Sequence, residues 1–379
     1  MEMKVHEKRT YGFLLILTIF STIVFQLWRT LFNNFGVDTI GLQSDSIGLV
    51  QAFREVPGFL ALTAVYITLI IKEKWFGFFS AILLSIGVAL TGYFPTKWGL
   101  VATTVLMSTG FHFYETVNQS LSMQYFSKLN FPSATANLRR YGALAAILTG
   151  IAITPLTKLL DFKTLYLIFG ILGVLGTLFA LKFLPDESKV PVQKKGLVFK
   201  KEYKIYYALT FLNGARRQIF TVFALFLLVQ RHGMSATTIS ILFVLNNAIN
   251  FFIYPQIAKI INRWGEKFTL KLEYLSLIII FLMYALVDHP WAALALYILD
   301  NLSFGFSMAT KSYFQKIADS ADLAPTAGVS FTINHIAAVI IPYIGGILWL
   351  VDWRIPFYMA AFLSLLSLFL TRYIAIKEA

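Results

Sequence analysis

The chain of 379 residues contains no cysteine, and only 13% of its residues are charged. Without cysteine the protein can form no disulfide, no thiolate metal site and no cysteine nucleophile. Soluble domains carry about 25% charged residues, whereas 58% of this chain is hydrophobic. These deficits argue against a soluble globular protein and predict one that lies in a membrane.

The sequence also lacks the motifs that mark common catalytic sites. It has no Gly-x-x-x-x-Gly-Lys-[Ser/Thr] loop for ATP phosphates, no His-Glu-x-x-His zinc motif and no Gly-x-Ser-x-Gly serine elbow. We therefore predict that the protein is not an enzyme, holds no metal and needs no cofactor. The missing ATP-binding loop also argues against a self-contained primary pump.

Twelve apolar stretches occupy nearly all of the chain, each near the ~20 residues that a helix needs to cross a bilayer. We predict an all-α membrane protein of 12 transmembrane helices in two six-helix halves, residues 1–184 and 204–379, joined by a lysine-rich linker at 185–203. The predicted spans are 11–34, 45–71, 75–94, 98–127, 132–155, 164–184, 204–230, 235–261, 267–287, 291–316, 325–350 and 354–374.

The two halves echo each other at a spacing of about 190 residues, as an internal duplication would. The matching segments are 41–47 with 233–239, 125–126 with 313–314, and 132–134 with 325–327. Two copies in the same orientation are related by an axis along the membrane normal, an arrangement typical of secondary transporters.

The segment 258–267, Ala-Lys-Ile-Ile-Asn-Arg-Trp-Gly-Glu-Lys, resembles a signature of the major facilitator superfamily. That signature is Gly-x-Leu-Ala-Asp-Arg-x-Gly-Arg-Lys, and here Asn262 stands in place of the aspartate. The resemblance implies a cytoplasmic gating loop that contains Asn262, Arg263, Gly265 and Lys267. It also implies alternating access and a central cavity lined by spans one, four, seven and ten.

The formal net charge of +13 follows the topology of the chain. Twenty of the 32 lysines and arginines fall in the termini and the even-numbered loops. Because basic residues favour the cytoplasmic side, we expect both termini and the linker to be cytoplasmic, in a prokaryotic inner membrane. We expect the basic excess to contact membrane lipids and not nucleic acid, and we expect a monomer.

Ionisable side chains inside the spans cost ~2.5–3.5 kcal/mol each at the bilayer centre, so each needs a partner or an aqueous cavity. Basic residues outnumber acidic ones among them: Arg29, Arg54, Arg139, Arg140, Arg216, Arg217 and Lys311 stand against Glu55, Glu115 and Asp300, beside His112 and His335. Glu273 lies near the end of span nine, and we expect it at the level of the lipid headgroups.

Several of these residues share one depth, near the middle of the membrane. At ~1.5 Å of rise per residue, Arg216, Arg217 and Asp300 each lie about 14–18 Å into their spans, as do Glu115 and His335. We predict that acids and histidines at this depth couple transport to protons. The predicted coupling residues are Glu115, His112, Asp300 and His335.

Span four carries a polar stripe, since His112, Glu115, Gln119 and Ser122 follow the spacing of one helical face. The stripe is either a cavity wall whose acid titrates or a seam that joins helices by hydrogen bonds. We expect Glu115 to pair with Arg139 or Arg140. For Asp300 we expect Lys311 or Arg217 as the partner.

The surplus of arginine favours an anionic or zwitterionic small organic solute, because arginine grips carboxylates and phosphates with two hydrogen bonds. The predicted solute contacts are Arg29, Arg54, Arg140, Arg216, Arg217, Gln119, Asn246 and Asn250. Two alternatives stay open, namely export of hydrophobic or cationic drugs and flipping of lipids or lysolipids. Arg29 beside Trp28 also fits an interfacial anchor.

Overall fold

The computed structural model describes residues 3–42, 44–186, 193–194, 196–234 and 236–375. Much of the predicted linker, at 187–192 and 195, lies outside the described residues, as does Lys377, which belongs to the cytoplasmic basic set. The described part of the chain is helical and contains no strand. The prediction of an all-α membrane protein is confirmed.

The described chain contains thirteen α-helices, and π-helical segments at Phe35–Thr39, Ile219–Ala224 and Leu227–Arg231 continue α1 and α8. In the N-terminal half they are α1 Val5–Asn34, α2 Ser44–Phe59, α3 Ala64–Ile67, α4 Glu73–Thr91, α5 Lys97–Tyr125, α6 Phe131–Leu156 and α7 Phe162–Ala180. In the C-terminal half they are α8 Lys204–Gln218, α9 Ala236–Leu286, α10 Pro290–Gly305, α11 Met308–Ile317, α12 Leu323–Val351 and α13 Ile355–Leu370.

The difference between twelve predicted spans and thirteen helices has local causes. Span two is broken into α2 and α3, and span ten into α10 and α11. Spans eight and nine run together as α9, in which Gly265 alone departs from helical geometry, at φ 77° and ψ 169°. Because that conformation is open almost only to glycine, the position of Gly265 sets where span eight ends and span nine begins.

Seven helices in the described part of the chain are long and apolar enough to cross a membrane. The chain is therefore a multi-pass membrane protein. Helix α5 is not among the seven, since polar side chains such as those of the predicted stripe lower its apolar content.

The protein divides into two compact units. The first comprises Met1–Asn130, Asn137–Val198 and Ser320–Thr332, and the second comprises Phe131–Ala136, Phe199–Asp319 and Ile333–Ala379. The beginning of α12 thus belongs to the first unit and the beginning of α6 to the second. The predicted boundary between the halves, residues 185–203, stays a prediction.

Helices α4 and α5 of the first unit pack backbone to backbone at Gly110. A Cβ atom placed there would lie 2.2 Å from the amide nitrogen of Leu84, so no larger residue fits. Aromatic side chains complete this core, with Phe35 and Tyr166 edge to face at 5.4 Å. Small residues that allow close backbone approach are the usual basis of helix packing in membranes.

A side chain from α12 forms hydrogen bonds to the backbone at the break between α2 and α3. Pro57 lies inside α2, and a 3₁₀ turn, Leu60–Thr63, follows that helix. The Thr332 hydroxyl accepts a hydrogen bond from the amide of Leu62 at 3.0 Å and donates to the carbonyl of Phe59 at 3.3 Å. The hydroxyl therefore satisfies backbone groups that the interrupted ladder leaves open.

Helix α9 packs against α8, α10, α11 and α13 in the second unit. Its Tyr284 stacks on Phe357 of α13, with ring centroids 4.9 Å apart. Tyr206 of α8 stacks on Phe314 of α11 at 4.2 Å. This aromatic packing holds four helices around the buried charged residues described next.

Candidate functional site

Arg216 is buried in the interior of the second unit, near the end of α8, with a side chain only 1% exposed. One terminal nitrogen donates a hydrogen bond to the Ser367 hydroxyl on α13. The other lies 3.7 Å from Oε1 of Glu273, and the guanidinium carbon lies 4.7 Å from the ring centroid of Tyr274. The arginine thus has a carboxylate and an aromatic face as partners inside an apolar bundle.

The sequence led us to expect Glu273 among the lipid headgroups. The structure instead buries it inside the second unit. Its side chain is 1% exposed and faces Arg216. The break at Gly265 is the signal that could have located it. Counted from that residue, Glu273 lies about 12 Å into the helix, which is deep enough to be buried.

Asp300 of α10 is fully buried, and neither of its carboxylate oxygens has a hydrogen-bond partner in the described structure. Arg216 attracts it electrostatically. The pairing with Lys311 or Arg217 that we expected stays a prediction. The hydroxyl of Tyr284, a residue that also interacts electrostatically with Asp300, lacks a hydrogen-bond partner as well. A carboxyl group and a phenol thus lie buried together with unused hydrogen-bonding capacity.

This cluster contains one basic and two acidic residues, so its charges do not cancel when all three are ionised. Arg216 can neutralise one carboxylate, but Glu273 and Asp300 are both buried beside it. An ionised carboxylate that lacks a partner in an apolar interior costs several kcal/mol. The arrangement can therefore hold a proton on one acid, and it can pass that proton if the arginine changes partner.

A second polar cluster lies in the first unit, between α2 and α5. Arg54 contacts its neighbour Glu55 at 2.5 Å, and the Ser108 hydroxyl donates to the carbonyl of Arg54 at 2.5 Å. A carboxylate oxygen of Glu55 and a ring nitrogen of His112 lie within 4.8 Å. Glu55 thus contacts Arg54 and lies near His112, two residues that we predicted for different roles.

The remaining predicted site residues differ in exposure. Asn246, Asn250 and His335 are buried; Gln119, Glu115, Arg140 and Arg217 are half-buried; Arg29 is exposed. The side chain of Asn250 accepts a hydrogen bond from Asn301 at 3.1 Å. Their roles stay predictions.

The predicted gating loop contacts neighbouring elements of the second unit. Asn262 donates to the Ser133 hydroxyl at 3.3 Å, and the Lys267 ammonium lies 3.3 Å from the carbonyl oxygen of Ile374. Arg263 is exposed and lies over the Trp264 ring, with 5.8 Å between the guanidinium carbon and the centroid.

Glu266, which we did not single out from the sequence, is a buried charged residue of this loop. It is 1% exposed, contacts the Lys316 ammonium at 2.7 Å and accepts a hydrogen bond from Ser312 at 2.6 Å. The loop is therefore fixed to α11 by a charge-assisted pair.

Comparisons with known proteins agree on one family. The family model "Major Facilitator Superfamily" matches residues 10–332. No curated protein matches the sequence.

Solved structures show the same fold at low sequence identity. The human organic anion transporter MFSD10 (TETRAN) is 14% identical, with a TM-score of 0.79 over 96% of this chain and 99% of that one. The E. coli fucose:proton symporter FucP is 12% identical, with a TM-score of 0.74 over 96% and 98%. A bacterial homologue of the iron transporter ferroportin, in an outward-facing state, is 13% identical, with a TM-score of 0.73 over 96% and 98%.

Proposed function

This chain belongs to the Major Facilitator Superfamily, and on that premise we propose that it carries a small organic anion or zwitterion across the membrane by proton-coupled alternating access. Membership makes it a secondary transporter and not an enzyme. Solute class, coupling ion, inner-membrane location and cytoplasmic termini are parts of the proposal.

The buried cluster of Arg216, Glu273 and Asp300 carries the proposal. One base and two acids share an interior in which only one carboxylate can be balanced. In our proposal Asp300 holds the coupling proton, because its oxygens have no hydrogen-bond donor and the neutral acid avoids the cost of a buried charge. Glu273 remains the resident counter-ion of Arg216.

Arg217 is the solute contact that we favour among the two adjacent arginines. Successive residues of a helix point ~100° apart, and Arg216 points into the bundle while Arg217 is half-buried. A guanidinium at a half-exposed position can reach a solute in an aqueous cavity, whereas that of Arg216 is already engaged by Ser367 and Glu273.

The solute class follows from charge. Away from the ends of the predicted spans, seven basic residues stand against four acids, once Glu273 is counted. Two of the similar structures are named as an organic anion transporter and a fucose:proton symporter. The first name agrees with the proposed solute class, whereas fucose is uncharged and the second name agrees only with proton coupling. At 12–14% identity neither name decides the solute, and the proposal depends on the residues of this chain.

Thermal unfolding of the purified protein tests the solute class. Organic anions, zwitterions, lipophilic cations and neutral sugars are screened at about pH 5.5 and about pH 8. A ligand that binds only the folded state raises the unfolding temperature. We expect an anion or zwitterion to raise the unfolding temperature of the wild-type protein. This rise should disappear in Arg217→Gln and persist in Arg372→Gln, a control at an exposed residue.

Two other results would replace the proposed solute class. Stabilisation by lipophilic cations, unaffected by Arg217→Gln, would favour export of cationic drugs. Stabilisation by lysolipids alone would favour lipid flipping.

A further inference from the structure

A cavity of about 630 Å³ opens in the second unit, away from the charged cluster and the gating loop. It lies where the chain reverses between α12 and α13. Its lining residues come from the π-helical segment Leu227–Arg231, the end of α12 and the α12–α13 turn: Gln230, Arg231, Trp349, Val351, Asp352 and Trp353.

Two indoles form the aromatic wall of the cavity. Trp349 donates its ring N–H to the side-chain oxygen of Gln230 at 3.0 Å, and its ring centroid lies 6.5 Å from that of Trp353 at 60°. The hydrogen bond leaves the amide N–H₂ group of Gln230 as a donor. Tryptophans at the end of a membrane span are typical of the headgroup level.

Arg231 supplies the positive side of the cavity. It holds Asp288 through two hydrogen bonds, one of 2.9 Å from Nε, and its guanidinium carbon lies 4.5 Å from the Trp353 centroid. Hydrogen bonding from Arg231 keeps the pKa of Asp288 below its ordinary value, so the pair stays ionised at neutral pH. The second terminal nitrogen of Arg231 remains as a donor.

Asp352 supplies the negative side. One carboxylate oxygen accepts the amide of Arg354 at 2.9 Å, and the other lies 3.9 Å from the Arg354 guanidinium, which is too far for a hydrogen bond. The carboxylate is 41% exposed. It can therefore accept hydrogen bonds from an ammonium group, which the indoles beside it would also attract.

An apolar stripe on α12 leads to this cavity. Ile336, Ile340, Ile344, Ile347 and Val351 recur every three or four residues, so they share one helical face. All five are exposed, between 39% and 76%. The stripe is about 22 Å long at 1.5 Å per residue, enough to line one ~15 Å leaflet of the bilayer core.

We infer that this cavity binds the headgroup of a zwitterionic phospholipid whose acyl chains lie along the α12 stripe. The phosphate faces the donors of Arg231 and Gln230, and the ammonium faces Asp352 and the indoles. A purely anionic headgroup offers Asp352 no ammonium group and brings a like charge beside it. This lipid is a resident ligand and is distinct from the transported solute.

Native mass spectrometry of the full chain tests the inference, with equimolar phosphatidylethanolamine and phosphatidylglycerol as probes. We expect about a fivefold preference for the ethanolamine lipid, the size of one partly exposed charge pair. Asp352→Asn keeps the shape and the acceptor for Arg354, and should bring the ratio near one. Asp38→Asn, at an exposed acid of the first unit, should leave it unchanged.

Three results would overturn the inference. One is equal retention of the two lipids by the wild-type protein, and another is a preference that survives in Asp352→Asn. The third is displacement of the lipid by an equal concentration of glycerophosphoethanolamine, which has the headgroup without acyl chains and would identify a site for soluble zwitterions.

Discussion

Adjacent residues of one helix can have opposite environments, and Arg216 and Arg217 illustrate this. Both share one depth in the sequence, which therefore left open the question of which of them faces a cavity. The structure buries Arg216 against Glu273 and Ser367 and leaves Arg217 half-buried. The direction in which a side chain points depends on helix packing, and the chain pattern alone does not specify it.

Replacing the two arginines should separate stability from binding. Arg216→Gln leaves Glu273 without its buried counter-ion, so we expect a loss of about 3 kcal/mol in the free energy of unfolding. Arg217→Gln should cost less, because Arg217 is half-buried and removing it leaves no fully buried charge without its counter-ion. Unfolding in detergent with added denaturant measures both, and an equal loss in the two variants would contradict the assigned environments.

The depth of Asp300 along its helix could be predicted from the sequence, whereas its electrostatic partner could not. The rise per residue places Asp300 near the middle of its span, and the structure buries it fully. Arg216 is an electrostatic partner of Asp300 that we did not name from the sequence, because that pairing depends on how α8 and α10 face each other. Glu273 was misplaced because we assigned its depth from the end of an apolar run.

Several helices are interrupted, and the residue types at the interruptions explain some of them. Proline removes a hydrogen bond from the helical ladder, and Pro57 lies inside α2, two residues before that helix ends. The role of Thr332 in satisfying Leu62 and Phe59 could not be predicted, since 270 residues separate the partners. A polar residue on a distant helix has no sequence signal that links it to a break.

Gly265 should tolerate no side chain without cost. Its φ of 77° and ψ of 169° are almost closed to other residues, so Gly265→Ala should lower the unfolding free energy by about 2 kcal/mol. Gly150→Ala is the control, because Gly150 lies inside α6 with open space around its Cβ position. Gly150→Ala should leave the free energy of unfolding unchanged or raise it by up to about 1 kcal/mol. Thermal unfolding compares the two variants.

The opposite order of stabilities, with Gly265→Ala the more stable of the two, would mean that the break between spans eight and nine does not depend on glycine.

The architecture of the whole molecule was easier to predict from the sequence than the pairing of residues or the breaks in helices. Apolar runs near the length of a bilayer crossing indicated the all-α membrane fold, which the family match and the similar structures support. The family resemblance of residues 258–267 was confirmed by the family model. The content of the two compact units was not predictable, because the beginnings of α6 and α12 each join the other half's unit.

In the proposed mechanism, the buried cluster of Arg216, Glu273 and Asp300 exchanges its proton when solute moves. Proteoliposomes with a trapped pH indicator measure this directly, using the solute that stabilises the wild-type protein but not Arg217→Gln. We predict that wild-type uptake changes the luminal pH, whereas Asp300→Asn exchanges labelled solute without any pH change. An Asp300→Asn protein that moves protons and solute in the wild-type ratio would contradict this coupling mechanism.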